Sequence, residues 1–120
     1  MIGKNYQKGI DSEIKTINYL KSQGYEILAS RFKTSFGEID ILAKHEDTII
    51  GIEVKYRKSI ESAAYSINTK QKSRIIDAMN IFLQDFIQEN QIYPFIRFDV
   101  VLLSSSKEMN HIKNAWTSDE

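Results

Sequence analysis

Cysteine is absent from this 120-residue sequence. Disulfides and thiolate metal centres are therefore excluded, and a reducing compartment, the cytoplasm, is the expected location. No run approaches about 18 apolar residues, so no membrane-spanning helix is expected. The opening MIGKNYQKGI has basic residues with no apolar stretch behind them, so no secretory leader is expected either. An excess of one charge is missing too: sixteen Lys and Arg balance sixteen Asp and Glu. Global charge thus gives no support to nucleic-acid binding. There is no glycine-rich phosphate loop, no internal repeat and no low-complexity stretch. No linker divides the chain, and its length fits one domain over residues 1–120 that can bury a core without staples.

What is present is local. Between Lys55 and Arg74 stand six basic residues (Lys55, Arg57, Lys58, Lys70, Lys72, Arg74) and a single acid, Glu61. Such asymmetry suits a polyanion, although charge runs also serve as plain solvated faces. Ile10, Ile14, Ile17 and Leu20 recur at helical spacing, with Gly24 as a stop, and predict a helix from Tyr6 to Gln23. Strands are predicted at Tyr25–Arg31, across FGEIDILAK and TIIGIEVKYR, over Phe95–Leu103 and over His111–Trp116. Ser59–Ile67 reads as a connection. From Thr69, a plausible cap, an apolar stripe of Ile75, Ile76, Met79, Phe82, Leu83 and Phe86 predicts an amphipathic helix that ends before the sole proline, Pro94. A long helix between two strands is the usual crossover of a parallel pair. The expected architecture is a mixed sheet with helices on its faces.

The chemistry concentrates in GEIDILAKHEDTIIGIEVKYR, Gly37–Arg57. Strand side chains alternate. With Ile39 and Ile41 on one face, Glu38 and Asp40 fall on the other, and Glu53, Lys55 and Arg57 share a face in the next strand. A two-residue turn between His45 and Thr48 sets Asp40 opposite Glu53, with Cα atoms about 4.5–5.5 Å apart. A four-residue loop pairs Glu38 with Glu53 instead, and a three-residue loop puts Asp40 on the wrong face. Facing carboxylates repel each other, so a cation is needed. Lys55 supplies part of it as an ion pair. Mg²⁺ (or Mn²⁺) supplies more, because it takes oxygen ligands, keeps several waters and uses one or two protein carboxylates. Glu13, on or beside the buried stripe of the first helix, is a further candidate ligand. Two other signals carry less. His45 and His111 lack metal-ligand spacing and read as surface residues. Asp99 shares a strand face with Arg97 and reads as an internal ion pair or sheet-edge contact.

GEIDILA followed by IEVKYR resembles the YraN-type family of small bacterial proteins, with its GEID-L-I-A and VEVK-x-R motifs. The resemblance extends over GIDSEIKTINYLKSQGYEILASRFK, TKQKSRIIDAMNIFL and IRFDVVLL, nearly the whole chain. That family is similar to the restriction-endonuclease-like PD-(D/E)xK superfamily, related to Holliday-junction resolvases, whose order of helix, three strands, helix, strand is the order read here. The resemblance implies a restriction-endonuclease-like α/β fold and an Mg²⁺-dependent endonuclease acting on DNA, including branched DNA. It casts Asp40, Glu53 and Lys55 as the core motif and Glu13 as the acid on the first helix. It also places Lys70 and Gln71 on the helix after the motif. Arg57, Lys58, Lys70, Gln71, Lys72 and Arg74 are then the nucleic-acid-binding candidates. A junction enzyme needs two active sites, hence a homodimer. The alternative is a non-catalytic nucleic-acid-binding or recombination-accessory module. The chain departs from the family at Ser12 (commonly Gly), Ser30 (Asn), Gly51 (a larger apolar residue) and Tyr56 (Thr or Ser). None of these is a proposed ligand.

Overall fold

A computed structural model describes residues 4–58 and 67–117. Helix α1 (Lys4–Ser22) leads into strands β1 (Glu26–Lys33), β2 (Glu38–His45) and β3 (Thr48–Arg57). Helix α2 (Thr69–Asn90) then precedes β4 (Phe95–Ser104) and β5 (Met109–Trp116). The five strands form one sheet in chain order, with β3 and β4 parallel and every other pair antiparallel. The helix between β3 and β4 is therefore the crossover its position predicted. Most of the predicted connection, residues 59–66, lies outside the described residues.

Each face of the sheet carries its own core. Ile75, Ala78 and Met79 of α2 pack with Ile39, Leu42, Ile49, Phe98 and Trp116. Leu20 of α1 packs with Tyr25, Ile41, Ile50, Ile52 and Val101. The local chemistry of the ends explains the elements. Helix α1 stops in a Schellman motif, with Gly24 at φ 87. The Tyr25 N–H reaches the Leu20 carbonyl at 3.0 Å and the Gly24 N–H reaches Lys21 at 3.1 Å. At the start of α2 the cap is Asn68, one residue before the Thr69 expected from sequence. Asn68 and Gln71 form a reciprocal capping box, which serves two orphan N–H groups where threonine alone would serve one.

Three further expectations are corrected. The buried face of α1 is not the isoleucine stripe, since Ile14 is 52% exposed while Ser12, Thr16 and Leu20 are buried. The hydroxyls of Ser12 and Thr16 donate to the carbonyls four residues back, each at 2.7 Å. Their polarity is thus satisfied inside the helix, and small residues let the helix lie close to the sheet. Ile39 and Ile41 do not share a face, because they belong to the opposite cores. Arg31, beside this stretch in β1, is left-handed at φ 52, and the alternation breaks at Asp40. Last, β4 runs one residue past the predicted Leu103, through a buried Ser104, and β5 begins at Met109 rather than His111.

Candidate active site at the open end of β2 and β3

The β2–β3 turn has two residues, with His45 paired to Thr48 and Glu46 left-handed at φ 56. The paired register ends at Ile41 opposite Ile52. Its next step sets Asp40 across from Glu53, the arrangement expected for the shortest loop. Here the ladder opens, and the Val54 N–H donates to Asp40 Oδ2 at 2.8 Å. The backbone of β3 thereby aims the Asp40 carboxylate. Gly37 sets the start of β2. A Cβ at that position would lie 1.8 Å from the Arg74 carbonyl oxygen, so only glycine lets the β1–β2 turn abut α2.

The Glu53 and Asp40 carboxylates lie near enough for the charge of Asp40 to act on Glu53. Lys55 Nζ lies 3.4 Å from Glu53 Oε1, and both side chains are nearly buried. Burial pushes the Asp40 pKa up to about 6; the Val54 N–H opposes this, and the charge of Glu13 adds to it. Burial and then the charge of Asp40 push Glu53 up to about 8, with Lys55 opposing. The pair therefore holds a proton at neutral pH when no cation is bound. The Lys55–Glu53 contact becomes a full ion pair only above that range.

Glu13 is brought to the same place. The rotation of α1 that buries Ser12 and Thr16 leaves its side chain 16% exposed, in a ≈140 Å³ cleft with Glu38, Asp40 and Arg31. Arg31 Nε holds Glu13 Oε1 at 3.1 Å. Nothing in the sequence pattern marks Arg31 as the partner, because its reach depends on the left-handed turn of β1. Among the described residues no three His, Cys, Asp or Glu gather closely enough to hold a metal ion. What is present is a buried carboxylate pair, Asp40 and Glu53, with Glu13 in the cleft beside Asp40 but not part of a three-residue set. That donor set fits Mg²⁺, which is content with one or two carboxylates and several waters.

The basic candidates divide. Arg57 and Lys58 line a groove beside Lys55 and Lys8 of α1. Lys72 lies on the α2 side, its Nζ 5.9 Å from the Trp116 ring centroid. Lys70 and Arg74 are exposed on α2, and the side chain of Gln71 serves the capping box.

A second polar centre lies on β4. Asp99 is fully buried. Arg97 donates to it twice, at 2.8 and 2.9 Å, as the strand spacing implied. His111 Nε2 lies 2.8 Å from Asp99 Oδ2, and the Asn114 N–H donates to Oδ1 at 2.9 Å. His111 is thus no surface residue: its side chain is 6% exposed, and its Nδ1 lies 2.9 Å from the Tyr19 hydroxyl. His45 is only partly exposed and stacks on Tyr25 at 4.5 Å. Burial would raise the Asp99 pKa, but the bonds from His111, Arg97 and Asn114 outweigh it and hold the carboxyl below its ordinary range.

Comparison with known proteins places these residues in a family. A model of "Uncharacterised protein family UPF0102" matches residues 12–103, a span that takes in Glu13, Asp40, Glu53 and Lys55. A UPF0102 protein of Nitrobacter winogradskyi is 37% identical over 111 residues, 92% of each chain. One of Rhodopseudomonas palustris strain HaA2 is 38% identical over 92% of this chain and 85% of its own. One of Bradyrhizobium diazoefficiens is 36% identical over 92% of this chain and 82% of its own.

Proposed function

The chain belongs to the UPF0102 family, and we propose that it is an Mg²⁺-dependent endonuclease that hydrolyses DNA phosphodiester bonds. The observation that carries this reading is the Asp40–Glu53 pair, largely buried and raised in pKa, with Lys55 Nζ 3.4 Å from Glu53 Oε1. A strongly perturbed carboxylate pair beside a lysine is expensive to keep in a fold for structure alone. The likeness of GEID and EVK to the restriction-endonuclease-like pattern agrees with it.

Asp40 and Glu53 would hold the metal, with Glu13 beside it as an outer ligand once released from Arg31. Mg²⁺ bound there would neutralise phosphate charge and acidify a water. The ammonium of Lys55 donates to a phosphate oxygen or to the attacking water and favours the charge that builds on phosphorus. The Val54 N–H holds Asp40 in its rotamer through the step. Hydrolysis joins the water oxygen to phosphorus and breaks one P–O ester bond, with the water proton leaving to solvent or to the departing oxygen. A cysteine-free enzyme of this kind suits the reducing cytoplasm. Four-way junctions would call for two such centres and hence a homodimer.

The test is incubation of purified protein with linear, single-stranded and four-way-junction DNA, in Mg²⁺, Mn²⁺ and chelator. Metal-dependent cleavage is expected. Asp40→Ala, Glu53→Ala and Lys55→Ala should each reduce it by about 10³-fold or more, and double variants should fall little further because the three act as a unit. Cleavage that persists in all three single variants removes the site. DNA that is bound but never cut makes the protein a recombination-accessory module.

A further inference from the structure

Two spaces flank the Asp40–Lys55 centre, and they differ in charge. The ≈140 Å³ cleft carries Glu13, Glu38 and Asp40 against Arg31 and Lys33. The other is a groove of ≈530 Å³ in which Lys55 is joined by Lys8, Arg57 and Lys58. Lys8 and Tyr56 are shared with a further ≈190 Å³ hollow that carries the groove on to Lys15 of α1 and Lys107 of the β4–β5 turn. Among the described residues, Asp11 is the one acid lining either part, and Gln7 already donates to it at 3.0 Å. The β4–β5 turn is tied to the end of β3, with the Ser105 N–H donating to the Arg57 carbonyl at 3.2 Å. Lys107 is therefore held in place relative to Arg57 and Lys58.

A polyanion is repelled by the first space and attracted by the second. We infer that the backbone of an unpaired DNA strand runs along the second groove, its phosphates contacted by Lys8, Lys15, Arg57, Lys58 and Lys107. The scissile phosphate then meets Lys55 from the cationic side, while the acidic side is left to the metal. A space of ≈530 Å³ is on the scale of a small-ligand pocket, about 300–1,000 Å³. It admits a nucleotide freed from its partner. Tyr56 supplies the aromatic face of the groove; Lys8 Nζ sits 5.7 Å from its ring centroid, and single strands use such faces for stacking. The path follows α1 and the end of β3 rather than the α2 residues Lys70, Lys72 and Arg74, of which Lys72 lies over Trp116 on the other core.

This inference rests on the nuclease reading, and the experiment separates the two. Binding of a fluorescent single-stranded oligonucleotide is measured by anisotropy across a salt series in chelator, and cleavage is measured in Mg²⁺. The proteins are wild type, Lys15→Ala/Lys107→Ala and Lys70→Ala/Lys72→Ala/Arg74→Ala. The first variant replaces two exposed side chains, and its melting point verifies that it folds. Its log–log salt slope should be shallower by about 1.4, two contacts at about 0.7 each on a single strand. The α2 variant should keep the wild-type slope. A slope unchanged in the first variant and flattened in the second moves the strand to α2 and overturns the inference. So does a wild type that binds no single strand. Cleavage with an unaltered groove slope rejects the path and leaves the nuclease standing. A groove-dependent slope without cleavage keeps the path and rejects the nuclease.

Discussion

One sheet holds two buried carboxylate centres, and they have opposite characters. Asp99 accepts from Arg97 twice, from His111 and from the Asn114 N–H, and its pKa is lowered. Asp40 takes the Val54 N–H and faces a second carboxylate, and both pKa values are raised. Burial works against ionisation equally in kind at each place. What differs is the supply of donors. A saturated buried charge fastens strands together. A buried carboxylate pair with only Lys55 to balance it remains strained by its own charge. The first centre joins α1, β4 and β5 through Tyr19, Arg97 and His111. The second stands where β2 and β3 part and the backbone no longer fills the space.

The largest effect should come from emptying the saturated centre. Asp99→Ala leaves Arg97 with only the Tyr25 hydroxyl and takes the Nε2 partner from His111, and loss of one partner of such a buried set costs about 3–5 kcal/mol. Urea unfolding should report it. A loss under about 1 kcal/mol would mean that Asp99 is no more than a passenger in β4.

The pH scale should separate the two centres next. With chelator present, the raised pair contributes stability that is complete below about pH 4. That stability is lost as pH rises through about 6 and then about 8. Asp99, lowered, contributes stability that is present above its ordinary value of 3.8 and lost as pH falls through its folded value. Melting points measured in chelator should therefore decline between about pH 4 and 8 because of Asp40 and Glu53, and on the acid side because of Asp99. Mg²⁺ should remove the first decline, adding about 2.7 kcal/mol at a hundredfold excess over Kd. A decline between about pH 6 and 8 that survives in Glu53→Gln would be traced to groups other than Glu53.

Asp40→Asn is the smallest and most pointed change. It keeps an acceptor for the Val54 N–H and removes the facing charge, so at pH 8 in chelator the variant should be more stable than wild type by about 1 kcal/mol. Millimolar Mg²⁺ should reverse the order, since the variant gains little from it. Thermal melting of both proteins, with and without the ion, decides. A wild type that is already the more stable in chelator, with neither melting point moved by Mg²⁺, would make the pair an ordinary ion-paired cluster.

Much of this arrangement is local and was therefore readable in the chain. The apolar stripe of α2 predicts its buried side. A long helix between two strands predicts the parallel β3–β4 pair. The spacing of Asp40, Glu53 and Lys55 around a short turn predicts that they gather, and the two-residue turn sets Asp40 across from Glu53. Arg97 and Asp99, two apart on one strand, predict their own ion pair. Each depends on period and turn length, which neighbouring residues set.

The tertiary structure decided what depends on partners distant in sequence. Ser12 and Thr16 outrank Ile14 for the sheet because they hide their hydroxyls in the helix and pack closely, which no hydropathy period registers. His111 becomes an interior residue only because β5 pairs with β4, which sets it opposite Val101 and lets its ring reach Asp99 two residues away. Lys8 joins Arg57 and Lys58 in one groove and Lys15 and Lys107 in the hollow next to it, from elements far apart in the chain. The chain by itself determined which groups are charged and which faces are apolar, since both follow from residue type and spacing. Whether a given charge is saturated, frustrated or exposed waited on the fold, because a buried charge is defined by the donors around it, and those arrive from other strands.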